Sequence, residues 1–118
     1  MTWSVEFCDE LADDFVALAE EVQTTLLAHA RLLEEFGPSL GRPYVDTLNG
    51  SRHANMKELR FDAAQGVWRV AFAFDPKRKG VLLVAADKRG KSQAKFYKRL
   101  IKTADARFDA HIERTQEE

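Results

Sequence analysis

Three short apolar runs, MKELRF at 56–61, VWRVAFAF at 67–74 and VLLVAAD at 81–87, restrict the fold of this 118-residue chain more than any other feature. Each has the length and composition of a strand. The intervening DAAQG and DPKRKG are turn-like and too brief for a crossover helix. Strands joined in this way make an antiparallel meander. A further strand is expected at the N-terminus, where Trp3, Val5 and Phe7 alternate with polar neighbours at the period of a half-buried strand.

On either side of the meander the period becomes helical. Leu11, Phe15, Leu18, Val22, Leu26, Ala30 and Leu33 recur at spacings of three and four, with Asp9 as the expected N-cap. The pattern predicts one long helix, or two with a break near Thr24 and Thr25. Gly37 suits a C-terminal cap and Pro38 cannot continue a helix, while YVDTLNGSRHAN reads as a loop. From Ser92 onward Phe96, Leu100, Ile101, Ala104, Phe108 and Ile112 mark one face of a closing helix, with ERTQEE fraying at its end. The expectation is a single α+β domain over residues 1–118, in the order β-α-α-β-β-β-α. Its small, mainly antiparallel sheet would carry two N-terminal helices and a C-terminal one.

Net charge is only -1, yet the charges are segregated along the chain. Residues 1–36 hold nine acids and one base, whereas residues 51–102 hold fourteen bases and four acids. Such asymmetry points to a polyanion partner, nucleic acid above all, with a merely solvated surface as the alternative. On a helical wheel Lys91, Lys95, Lys98, Arg99 and Lys102 form one stripe opposite the apolar face of the last helix, with no acid among them. No apolar run approaches the roughly 18 residues of a membrane span, and no signal-like leader is visible. The single Cys8 can form no internal disulfide, so a cytoplasmic protein is expected.

The hairpin sharpens this reading. Pairing Leu59 with Val70 and Phe61 with Trp68 buries both apolar sets on one face, and it then sets Arg60 opposite Arg69 on the other. Like charges across a ladder are unfavourable unless an anion is expected between them. The structural alternative is an ion pair in which Glu58 or Asp62 neutralises one arginine.

The KELR strand, the arginine of VWRVAFAFDP and the basic DKRGKSQAKFYKRL run into the last helix together resemble the RelE/ParE toxin superfamily, in particular its HigB-like, phage Gp49-like branch. The resemblance covers nearly the whole chain, and residues 56–100 carry its specific part. It implies a RelE-like fold and the toxin of a type II toxin–antitoxin pair. Such a toxin acts as a ribosome-dependent mRNA endonuclease, and a cognate, HigA-like helix-turn-helix antitoxin neutralises it and alone touches operator DNA. Arg60 and Arg69 match the family's sheet arginines, Lys57 a basic residue before ELR, and Lys88 and Arg89 a basic pair after the last strand. The GKSQAK helix start departs from the branch's usual Thr-Pro.

RNA is cut without metal when its 2′-hydroxyl attacks the adjacent phosphate to give a cyclic phosphate. Arg60 and Arg69 suit stabilisation of the added charge but cannot act as bases. Lys57, Lys88, Lys91 or Lys95 could act as base where neighbouring cations depress a lysine pKa. Tyr97 could stack on a base or donate a proton, and His53 is a candidate acid or base, whereas His29 and His111 read as structural. Arg89, Lys91, Lys95, Lys98, Arg99 and Lys102 are the expected RNA contacts. No metal-ligand constellation is visible along the sequence and no cofactor is expected. Two other classes remain open: a ParE-like toxin that poisons DNA gyrase without catalysis, and an RNA-binding module without activity.

Overall fold

The computed structural model describes residues 2–116. Its elements are β1 (Val5–Phe7), α1 (Asp9–Phe15), α2 (Glu20–Phe36), β2 (Val45–Thr47), β3 (Lys57–Ala63), β4 (Gly66–Phe74), β5 (Gly80–Asp87) and α3 (Gln93–Gln116). The five strands form one sheet in the order β1-β5-β4-β3-β2. All neighbours are antiparallel except β1, which runs parallel to β5 with Val5 beside Gly80 and Phe7 beside Leu82. The α+β class and the helix count are those expected. The strand order gains β2, which fell within the predicted 44–55 loop. Only three residues long, β2 buries Val45 alone, too little for an alternating pattern to show.

The β3–β4 register is the one the apolar alternation dictates: Leu59 faces Val70, Phe61 faces Trp68 and Arg60 faces Arg69. The connecting turn is tighter than DAAQG implies. Ala63 pairs with Gly66, and Ala64 and Gln65 adopt φ of 49° and 65°, the left-handed pair that a two-residue hairpin of the right twist requires. Two neighbours brace this turn: the Glu21 carboxylate accepts the Ala64 N–H, and Arg89 donates to the Gln65 carbonyl at 2.6 Å.

Leu59 and Phe61 face α2, whose His29 ring stacks on Phe61 at 5.1 Å, while Glu58, Arg60 and Arg69 face α3. The apolar stripe of α2 buries Val22, Leu26, Ala30 and Leu33 against the sheet. Leu26 and Leu33 are fully buried, so truncating either to alanine costs about 2–5 kcal/mol. The break in the N-terminal helical region lies at 16–19, earlier than Thr24 and Thr25. The apolar period runs unbroken through the gap, but Val16 is 79% exposed and Glu20 and Glu21 open the new first turn, where carboxylates favour the helix dipole. Cys8, not Asp9, caps α1: its sulfur accepts the Leu11 N–H and its thiol donates to the Leu83 carbonyl. Burial pushes the Cys8 thiol above its ordinary pKa, which keeps it a donor.

Leu83 is the extra residue where the β4–β5 register shifts, so its carbonyl leaves the ladder and is taken by Cys8 and, at 2.9 Å, by Arg107 of α3. Gly37 ends α2 at φ 57° with the Trp3 indole packed where a side chain would be, which explains both the glycine and the chain's exit there. At the other end α3 runs on through Thr115 and Gln116, further than the fraying tail predicted; Glu117 and Glu118 lie outside the described residues.

Candidate functional site

The strand pairing puts Arg60 and Arg69 side by side, and a carboxylate joins them. Glu58 precedes Arg60 by two residues and so shares its face of β3. Its Oε2 lies 3.9 Å from Arg60 Nε and its Oε1 3.9 Å from Arg69 Nε. Of the two acids that could have neutralised an arginine, Glu58 does so for both. Asp46 of β2 adds a contact to Arg60 at 3.9 Å. Tyr97, in the first turns of α3, completes the group: its hydroxyl accepts from Arg69 Nε at 3.3 Å and donates to Glu58 Oε2 at 3.2 Å.

At 3.9 Å the guanidinium–carboxylate contacts are Coulombic and fall short of hydrogen bonds. Glu58 Oε1 and Arg60 Nε are buried without a hydrogen-bond partner, an unusual cost for a native interior. Arg69 and Glu58 are 6% and 4% exposed, whereas the Arg60 side chain is 31% exposed and reaches solvent. Arg69 is therefore the anchored member of the pair and Arg60 the presented one.

Lys88, just after β5, closes the cluster with its amine 5.7 Å from the centre of the Tyr97 ring. Burial and then the Arg69 and Arg60 guanidiniums hold its pKa below the usual lysine range, against the pull of Glu58. Burial pushes the Glu58 carboxyl up, outweighing the Tyr97 hydrogen bond and both arginines. Burial, helped by Glu58, likewise raises the Tyr97 hydroxyl against Arg69, so it stays a proton donor. The cluster offers a partly exposed guanidinium, a phenol and an amine of reduced basicity within one rigid frame.

Four of the six candidate catalytic residues thus meet: Arg60, Arg69, Lys88 and Tyr97. Lys57 does not join them. It lies on the α2 side of β3 and donates to the Pro38 carbonyl at 3.3 Å. The signal was available, since three residues along a strand reverse the face. His53 also stands apart: its Nε2 meets Asp109 at 2.8 Å and its ring packs edge-on against Phe108. Asp109 lies about 18 Å beyond Tyr97 along α3 at 1.5 Å per residue.

The basic stripe divides in two. Lys91, Lys95 and Arg99 flank a groove of about 480 Å³ between α3 and the outer edge of β5, floored by Val84, Ala86 and Phe96. Lys98 and Lys102 border the opposite side of α3, near Tyr97 and the 49–52 loop. Arg89 is held at the β3–β4 turn, and Lys91 donates to the Asp87 carbonyl at 2.8 Å. Among the described residues Lys95, Lys98, Arg99 and Lys102 carry no ion pair. Away from this face the fold also assembles Glu6, Asp75 and His111, a set of metal-ligand types whose wide sequence separation hid it.

Residues 13–109 match the family described as phage-derived protein Gp49-like (DUF891). Two relatives from Mycobacterium tuberculosis strain H37Rv bear toxin names. HigB2 is 45% identical over 97 residues, covering 80% of this chain and 47% of HigB2. HigB3 is 43% identical over 95 residues, covering 80% of this chain and 81% of HigB3. The chain thus spans about half the length of the first relative and most of the second. Among solved structures a mutant of the E. coli toxin RelE in the free state superposes with a TM-score of 0.61 at 13% identity, over 86% of this chain and 96% of that one, a likeness of fold. Matched by the family model over residues 13–109 and by HigB3 over most of both chains, the chain belongs to the Gp49-like family, among relatives named HigB and with a RelE-like fold.

Proposed function

We propose that this chain is the toxin of a type II toxin–antitoxin pair and that it cleaves mRNA on the ribosome. The carrying observation is the Arg60–Glu58–Arg69–Tyr97–Lys88 cluster: cationic groups fixed by a buried carboxylate beside a helix whose lysines lack acidic partners. The toxin names of HigB2 and HigB3 support the same reading.

In the proposed reaction the RNA 2′-hydroxyl attacks its own 3′-phosphate, and the 5′-oxygen of the next nucleotide leaves. Arg60, the exposed guanidinium, meets the phosphate oxygens and stabilises charge on the phosphorane. Arg69 and Glu58 position it, since neither is open enough to meet substrate first. Lys88, with its lowered pKa, suits acceptance of the 2′-hydroxyl proton, and Tyr97 suits donation to the leaving oxygen. These groups give the protein its own means of stabilising charge and moving both protons. Lys98 and Lys102 hold the strand on one flank, and Lys95 and Arg99 on the other. The cognate antitoxin, a HigA-like helix-turn-helix protein, would silence the toxin by covering this face or by blocking ribosome entry.

Primer extension on a defined mRNA in a translation reaction, with and without ribosomes, tests the proposal. Wild type is compared with Arg60→Ala and with Arg69→Lys, which keeps a cation beside Glu58. Ribosome-dependent cuts that vanish in a folded Arg60→Ala are expected. Intact mRNA in every lane rejects the nuclease reading; gyrase supercoiling is then the next assay.

A further inference from the structure

Glu6 on β1, Asp75 just after β4 and His111 on α3 each bring one ligand atom to a common point, all within 4.8 Å of one another. Asp75 and His111 are 5% and 6% exposed, while Glu6 is exposed and leaves the point open to solvent on one side. The Asp75 carboxylate is fixed from behind. Its Oδ1 accepts the backbone N–H groups of Lys77 and Lys79, both at 2.9 Å, which aims Oδ2 at His111 Nε2, also at 2.9 Å. The His111 ring lies parallel to Phe108, tilted by 5°. These supports orient both groups before any ion arrives, as outer-shell contacts do in metal sites.

An aspartate–histidine pair alone accounts for two of the three residues. It leaves Glu6 unexplained: among the described residues its carboxylate has no hydrogen bond or ion pair, yet it approaches a buried carboxylate of the same sign. A cation shared by all three relieves that repulsion. Tetrahedral bonds of about 2.0–2.1 Å place ligand atoms about 3.3 Å apart, so Asp75 and His111 need to open by only a few tenths of an ångström. Glu6, on the exposed side, can rotate inward.

The geometry points to a divalent transition-metal site formed by Glu6, Asp75 and His111, with Zn²⁺ the best-fitting ion. One imidazole and two carboxylates with an open fourth position suit zinc, whereas Ca²⁺ and Mg²⁺ require more oxygen ligands. The ion would tie the edge strand β1 and the β4–β5 turn to the C-terminal half of α3. His111 lies about 21 Å beyond Tyr97 along the helix, so the site serves stability and stands apart from the arginine cluster.

The test uses the untagged chain, stripped with chelator and titrated with ZnCl₂ by calorimetry, with melting temperature followed in parallel. One equivalent bound and a raised melting temperature are expected. Glu6→Gln, an exposed change that leaves the apo fold intact, should weaken binding at least about 10-fold and cut the thermal shift. Asp75→Asn supplies a second variant, with apo melting as its folding control. Absence of binding up to about 1 mM Zn²⁺, a bound ion worth only about 4 kcal/mol, overturns the proposal. Binding that Glu6→Gln leaves unchanged does the same.

Discussion

The two halves of α3 treat charge in opposite ways. Toward its C-terminus nearly every charged group has a partner: Arg107 pairs with Asp14, Arg114 with Asp9 and Glu10, and Asp109 with Arg52, while the His53 and His111 rings meet Asp109 and Asp75. Toward its N-terminus Lys95, Lys98, Arg99 and Lys102 have no carboxylate among the described residues, and the nearby arginines share one buried glutamate at 3.9 Å. The paired half fastens α1 and the 51–53 loop to the sheet. The unpaired half leaves its attraction for anions unspent, which is how a chain of net charge -1 can present a cationic surface.

The largest expected break in that contrast is Arg60→Ala. If the N-terminal half is a reaction site, cleavage falls about 10²–10³-fold, as for loss of one donor to a charged transition state. Melting should change far less, because Arg60 reaches solvent. A folded variant that cleaves normally removes Arg60 from the mechanism. By contrast, Arg69→Ala would strip the buried Glu58 of its anchored partner and cost about 3–5 kcal/mol of stability.

Asp105→Ala probes the paired half. Asp105 accepts from the Ser51 hydroxyl and, at 3.1 Å, from the Arg52 N–H, so its loss frees the loop before β3. A destabilisation of about 1–3 kcal/mol is expected in denaturant melts, with cleavage by the folded fraction retained. Loss of cleavage at unchanged stability would tie the loop to the chemistry instead.

Glu58→Gln gives a smaller effect with a definite sign. A carboxyl whose pKa is raised in the folded state binds its proton more tightly there. Native stability therefore declines as pH rises from the unfolded value through the folded one. Above about pH 4, the unfolded value, the wild type should lose ground to Glu58→Gln as pH increases. A difference that does not vary with pH would mean that Glu58 holds no extra proton affinity. Least of all, Lys98→Ala with Lys102→Ala should leave stability within about 0.5 kcal/mol. Each should reduce the salt slope of RNA binding by about 1. An unchanged slope takes RNA off that flank.

The sequence made some of this legible and hid the rest for physical reasons. Register was readable because Leu59, Phe61, Trp68 and Val70 admit one pairing that buries them all, and the opposition of Arg60 and Arg69 followed from it. The role of Glu58 was only half visible: alternation puts it on the arginine face, but its sharing between both guanidiniums depends on Tyr97, which arrives from a helix 39 positions away. Lys57 and His53 are near the cluster in sequence and away from it in space. Strand alternation already separates Lys57 from Arg60, three residues on, whereas nothing in the neighbours of His53 records the docking of the 51–53 loop on α3. The Glu6, Asp75 and His111 set was invisible for the same reason, since its members lie on three elements that only the finished sheet aligns.

The parallel pairing of β1 with β5 carries a consequence for how the chain is made. Synthesis delivers the acidic β1–α1–α2 segment first, but β1 has no strand to pair with until residues 80–82 exist, and the Cys8 thiol waits for a carbonyl 75 positions later. Closure of so distant a contact is slow and comes late in folding. Tyr97 emerges later still, so a nascent chain holds Arg60, Arg69 and Glu58 on a hairpin before the hydroxyl that orders them is available. On this account a chain that stops short of Tyr97 displays the arginines on their hairpin but lacks the assembled cluster.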